Sequence, residues 1–173
     1  MMQPTLLQSV DLSARRALPA ALTLLLLLFA LTPTNVPGLA PVMPMFALMS
    51  VYFWSIYRPD LMGYGAVFGL GLLEDLLTAT PIGSTALVFL LTQWIVLRQQ
   101  KFFNAKPFAV TWFAFVFIAA AAALIRWLAV GFMSGSGFTP AGPIFASYLI
   151  TVAVYPLIGW LLAKTQAKLM GHV

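Results

Sequence analysis

The 173-residue chain holds four acidic residues and one histidine, the side chains that ordinarily exchange protons below pH 7. Two of the acids adjoin, Glu74 and Asp75, in a stretch otherwise free of charge. A carboxylate pair used for acid–base catalysis must converge on one reacting atom, with environments that split the two pKa values. Successive residues on a helix point about 100° apart, so these two do not aim along one line. His172, beside the last residue, leaves no base for a Ser-His type triad. The chain holds no H-E-x-x-H, no G-x-S-x-G, no P-loop and no Gly-x-Gly-Asp. Cysteine is absent, which excludes disulfides and thiolate metal sites. The expectation is a protein that is not an enzyme, with no catalytic residue, no metal and no cofactor.

The elements that carry these acids are set by composition. Hydrophobic residues make up 62% of the chain and charged residues 8%, against about 25% charged in soluble domains. So few charges cannot cover a soluble globule, and lipid is the expected solvent. A spanning helix needs about 17–25 apolar residues. Backbone groups in lipid must be satisfied internally, and no ten-residue alternation of a β-barrel is visible. The sequence therefore predicts an all-α integral membrane protein, one polytopic domain of six transmembrane helices. The spans fall at about 17–34, 41–57, 61–78, 82–97, 107–130 and 143–163. Pro33–Pro37, Thr80-Pro81 and the Gly/Ser/Pro segment 131–142 supply breaks. The first run reads as a retained span rather than a cleaved signal, since no small-x-small site closes it.

Charge fixes the orientation. Eight of the nine basic residues, Arg15, Arg16, Arg58, Arg98, Lys101, Lys106, Lys164 and Lys168, fall at alternate ends of successive spans. The positive-inside rule then places both termini in the cytoplasm (N-in/C-in). This pattern explains the net charge of +5 without nucleic acid. Trp54, Trp94, Trp112 and Trp160 are expected as anchors near the inner interface.

Arg126 is the ninth basic residue, and it lies in the fifth span. Helix rise puts Glu74 and Asp75 roughly 20 Å, and Arg126 roughly 28 Å, from the cytoplasmic starts of their spans. Intramembrane carboxylates are costly and usually face protein or a watery cavity. Arg126 is therefore expected to pair with Glu74 or Asp75; the alternative is that it snorkels to the outer headgroups. Gly65 and Gly69 share a helix face that permits close approach, through plain helix packing or a partner. Gly71 lies four residues before Asp75, directing that acid toward a packed neighbour. Thr92, Gln93, Ser147, Tyr148 and Thr151 are candidates for bonds between helices, and Pro156 for a kink that frees a carbonyl.

Residues 58–91 carry a resemblance to a known family. Arg58-Pro59-Asp60, the glycine-rich helix and the run from Gly71 through Asp75 to Gly83 resemble the bacterial rod shape-determining protein MreD family. The shared pattern is Gly-x-x-x-Asp, a small-residue turn, then Gly eight residues after the Asp. The resemblance implies a non-enzymatic subunit of the cell-elongation (Rod) complex in the bacterial inner membrane, needed for rod shape and lateral peptidoglycan synthesis. Its implied partners are an MreC-like single-span protein and, indirectly, RodA, a class B penicillin-binding protein and MreB filaments. Gly65, Gly69, Gly71, Glu74, Asp75, Gly83 and Arg126 are the structural or partner-facing candidates; of these, Gly71 and Asp75 carry over from the family motif. The family's fold is also thought to resemble the substrate-binding component of energy-coupling factor transporters. That makes a small-molecule-binding transporter subunit the alternative, with Ala17 and Ala21 at docking spacing and Glu74, Asp75 and Arg126 as pocket groups.

Overall fold

The computed structural model describes residues 6–32, 42–100, 107–133 and 140–170. The expected break at 33–37, Lys101, Lys106, the loop centre near Gly135, His172 and the side chains of Arg15 and Arg16 lie outside the described residues. Within them the chain is all-helical, with six α-helices, one short 3-10 turn and no strand. These are α1 (Leu6–Ala30), α2 (Phe46–Tyr57), α3 (Tyr64–Thr78), α4 (Ser84–Arg98), α5 (Phe108–Met133) and α6 (Ala141–Met170). The 3-10 turn, Pro59–Leu61, joins α2 to α3.

Helix α2 is the centre of the bundle. It packs against α1, α4 and α6, and every residue from Phe46 to Ile56 is buried. A helix that is apolar on all sides has no solvent face to offer, so surrounding it with other helices is the stable solution. This overturns one expectation. Trp54 is not an interfacial anchor, because its side chain is fully enclosed. Trp94 and Trp160 are exposed, and each has a cation above its ring: Arg98 at 4.7 Å and Lys164 at 4.9 Å. These pairs, with Arg58, mark one end of the bundle as basic.

Helix α1 begins well before the apolar run that suggested its start, so Arg15 and Arg16 sit within the helix rather than ahead of it. Pro19 is accommodated inside it. Four residues on, the Thr23 hydroxyl lies 2.7 Å from the Pro19 carbonyl and 2.8 Å from the Ser50 hydroxyl on α2. Helix α6 likewise continues through Pro156. Proline lacks the N–H that would bond to the residue four earlier, which leaves the Val152 carbonyl without its helical donor. Trp112 Nε1 on α5 donates to that carbonyl at 3.1 Å, so the proline creates an interhelical bond. Nearby, Tyr52, Phe115 and Tyr155 stack where α2, α5 and α6 meet, the last two with centroids 4.1 Å apart.

The exterior is apolar. Phe117 and Phe132 on α5, Phe145 and Trp160 on α6, and Ile82 before α4 are all more than half exposed. Polar residues sit inside instead: Ser50, Ser55, Thr92, Gln93, Thr111 and Thr151 are buried. A soluble protein rarely shows this inversion, and a large apolar surface marks a lipid or partner contact. Two helices are long and apolar enough to cross a membrane by length and composition, Phe108–Phe132 and Ala141–Lys168. Helices α3 and α4 have 15 residues each and α2 has 12. At 1.5 Å per residue these reach only about 18–22 Å, so any crossing of a hydrocarbon core of about 30 Å by them must be completed by the segments that flank them.

Candidate functional site

Glu74 and Asp75 lie in the last turn of α3, at the end of the bundle opposite Arg58, Arg98 and Lys164. The chain reverses here within a few residues. Ala79 closes α3 in the left-handed conformation (φ 52°), and Gly83 enters α4 with φ 96°. That second value is strained for any residue with a Cβ, which is the physical need for glycine at 83.

Asp75 is fully buried and reaches across the reversal to the start of α4. It accepts from the Gly83 N–H at 2.8 Å and the Thr85 N–H at 3.0 Å, and from the hydroxyls of Thr80 at 3.0 Å and Ser84 at 3.2 Å. The first N–H groups of a helix have no partner within it and carry the positive end of the helix dipole. Asp75 satisfies them from the preceding helix, a cap supplied in trans. Gly71, one turn earlier on the same face, brings the helices close enough for this. A Cβ built on Gly71 would stand 2.4 Å from Ala86 Cα, so α3 and α4 touch backbone to backbone there. Gly71, Asp75 and Gly83 are thus three parts of one junction.

Glu74 faces elsewhere. Its Oε1 accepts from Arg126 Nη1 of α5 at 3.2 Å, so of the two acids it is Glu74 that pairs with Arg126. Its Oε2 is buried and has no hydrogen-bond partner among the described residues. This pair forms part of the wall of a cavity of about 520 Å³. The rest of the wall comes from the ends of α1, α2, α5 and α6, chiefly Leu27, Leu31, Phe46, Val130 and Ile144, with hydroxyls from Thr32, Thr78, Thr80 and Ser147.

Gly65 and Gly69 lie outside both arrangements. They are exposed, and a Cβ on either would meet nothing within 4 Å, so the close approach within the chain is made by Gly71. The polar residues expected to bond between helices reach the segments that flank helices instead: Gln93 donates to the Met62 carbonyl, Ser147 donates to the Met43 carbonyl, and Thr151 accepts from the Met45 N–H. Sequence reasoning missed Thr80, Ser84 and Thr85 as partners of Asp75. A helix-start signal was present, a Gly-Ser-Thr step just after Pro81, but nothing local says that the cap comes from another helix.

The two carboxylates do not converge. One set of oxygens is occupied by the start of α4, the other is shared between Arg126 and the cavity. Among the described residues no three His, Cys, Asp or Glu side chains gather as metal ligands would. The fold and site define a class: an all-helical bundle, apolar outside and polar inside, whose acidic residues join helices. The chain matches the family model described as rod shape-determining protein MreD over residues 14–166. It belongs to the MreD family, whose members are membrane proteins that determine rod shape and serve as structural components. Comparison with curated proteins and with solved structures gave no match.

Proposed function

We propose that this chain is a non-enzymatic subunit of the bacterial cell-elongation (Rod) complex, spanning the inner membrane six times with both termini in the cytoplasm. In this reading it supports rod shape and lateral peptidoglycan synthesis by holding an MreC-like single-span protein. RodA, a class B penicillin-binding protein and MreB filaments are engaged through that assembly. The observation that carries the reading is the use of Asp75. The family motif's acid is wholly engaged by Thr80, Gly83, Ser84 and Thr85 in holding α3 to α4, which is the work of a scaffold. The apolar exterior and the open backbone at Gly65 and Gly69 suit docking of a partner span, since small residues let transmembrane helices approach closely. The basic end at Arg58, Arg98 and Lys164 supports the cytoplasmic assignment.

Affinity purification of a tagged chain from mild detergent tests this. An MreC-like protein and the elongation synthases should travel with it, and Asp75→Ala should weaken their recovery. ATPase subunits and a coupling protein in their place would contradict the scaffold and favour the second reading, a small-molecule-binding component of an energy-coupling factor type transporter. The observation favouring that second reading is the cavity beside Glu74 and Arg126.

A further inference from the structure

The cavity wall has an uneven supply of hydrogen-bond donors and acceptors. Four hydroxyls line it, and each has its proton directed into protein. Thr32 donates to the Leu28 carbonyl, Thr78 to the Glu74 carbonyl, Thr80 to Asp75 Oδ1 and Ser147 to the Met43 carbonyl. A hydroxyl has one proton and two lone pairs, so what these groups can still offer is lone pairs. Glu74 is 7% exposed and adds a buried carboxylate oxygen, Oε2, without a hydrogen-bond partner among the described residues. A carboxylate paired to arginine is an acceptor only. Among the described side chains of the wall, the donor with hydrogens to spare is Arg126, whose guanidinium is partly exposed. A buried acceptor left unmade costs free energy comparable to a lost hydrogen bond, so the site is incomplete as it stands.

Size and lining narrow what completes it. About 520 Å³ lies within the usual range for small-molecule sites of about 300–1,000 Å³. Most of the wall is apolar, from Leu27, Leu31, Phe46, Val130 and Ile144. An ordered water needs two to four polar partners, so water suits the Glu74 corner but not the remaining volume. The opposite charges of Glu74 and Arg126 cancel, which disfavours a simple anion or cation.

We propose that this cavity binds a neutral or zwitterionic amphiphile that directs an ammonium or hydroxyl donor at Glu74 Oε2 and lays its apolar body against Leu27, Phe46 and Val130. An acceptor on the same headgroup, such as a phosphate oxygen, meets Arg126. A phosphate–ammonium headgroup satisfies both sides of the ion pair, whereas a trimethylammonium headgroup has no donor to give. A membrane phospholipid and a free small amphiphile share this chemistry. The inference goes beyond the scaffold role and stands apart from partner recovery.

The test uses the full chain in nanodiscs containing equal amounts of phosphatidylethanolamine and phosphatidylcholine with the same acyl chains. Native mass spectrometry reads which lipid stays bound. The expected result is at least a tenfold preference for phosphatidylethanolamine, falling to near parity in Glu74→Gln, whose amide nitrogen puts a donor where an acceptor stood. Ala30→Phe, which fills the cavity from the end of α1, should abolish retention while leaving the Glu74–Arg126 pair in place. Gly69→Ala, on the exposed face, should match wild type. If the lipids are retained equally but a non-lipid amphiphile is released from wild type and absent from Glu74→Gln, the free-ligand source is supported. No retained amphiphile, or retention indifferent to both Glu74→Gln and Ala30→Phe, overturns the proposal. So does displacement of any occupant by a partner protein's side chain alone.

Discussion

At the α3–α4 junction, four groups from Thr80, Gly83, Ser84 and Thr85 surround Asp75. One residue earlier, Glu74 has, among the described residues, one partner in Arg126 and an oxygen with none. The residue types are nearly the same and the depth is the same; the helical rotation of about 100° between them makes the difference. Asp75 points along the face that Gly71 presses onto α4, where unpaired N–H groups await an acceptor. Glu74 points toward α5 and into open volume. An acid inside an apolar bundle is therefore not one kind of feature. Where donors crowd it, it holds structure, and where they do not, it marks a place for something else.

Substitutions can break this contrast, and their effects should fall in a definite order. Gly71→Val should do most damage, since even a Cβ meets the Ala86 backbone at 2.4 Å and backbone has little room to give. Overpacking of this kind costs about 3 kcal/mol or more, read as a large drop in melting temperature in detergent. Asp75→Ala comes next, at about 2–3 kcal/mol, the sum of a lost helix cap and charge-assisted bonds. Gly83→Ala should cost about 1–2 kcal/mol, because φ 96° is poorly tolerated with a Cβ. Arg126→Ala should cost about 1–2 kcal/mol, because the arginine is partly exposed but its loss leaves the buried Glu74 carboxyl without its partner. Adding Asp75→Asn to that variant should not restore it, since Asp75 is not its partner; recovery would mean the pairing is misassigned. Gly69→Ala should stay within about 1 kcal/mol of wild type and on the stabilising side, as expected for alanine at an open helical position. If Gly69→Ala leaves stability intact yet reduces recovery of an MreC-like protein, the exposed glycine face gains a docking role.

Much of this contrast was legible beforehand, and the losses have physical causes. The helices follow from apolar run length and from Pro and Gly breaks, and the family resemblance, carried by Gly71, Asp75 and Gly83, singled out the junction. Periodicity also put Asp75 and Gly71 on one face. Which acid takes Arg126 was open, because helix rise gives depth but not the rotation of one helix relative to another. Trp54 was misread as an anchor for a similar reason: a tryptophan near a span end looks the same whether its helix is central or peripheral. Only tertiary packing reveals that α2 is enclosed. Helix α1 extends ahead of the apolar run that begins at Ala17, which hydropathy does not record, because a helix can continue beyond its apolar stretch. The cavity was foreseen only through its polar groups, Glu74, Asp75 and Arg126, of which Glu74 and Arg126 line it; its apolar wall is a property of five helix ends that no local pattern records.

The most direct test compares Asp75→Asn with Glu74→Gln, two changes that each replace one carboxylate oxygen with an amide nitrogen. Thermal unfolding of both in the same detergent or nanodisc is the measurement. Asp75→Asn should melt well below wild type, because the new N–H₂ faces the N–H groups of Gly83 or Thr85, while Glu74→Gln should melt close to it. Equal losses, or a larger loss for Glu74→Gln, would contradict the assignment of one acid to the α3–α4 junction and the other to the cavity.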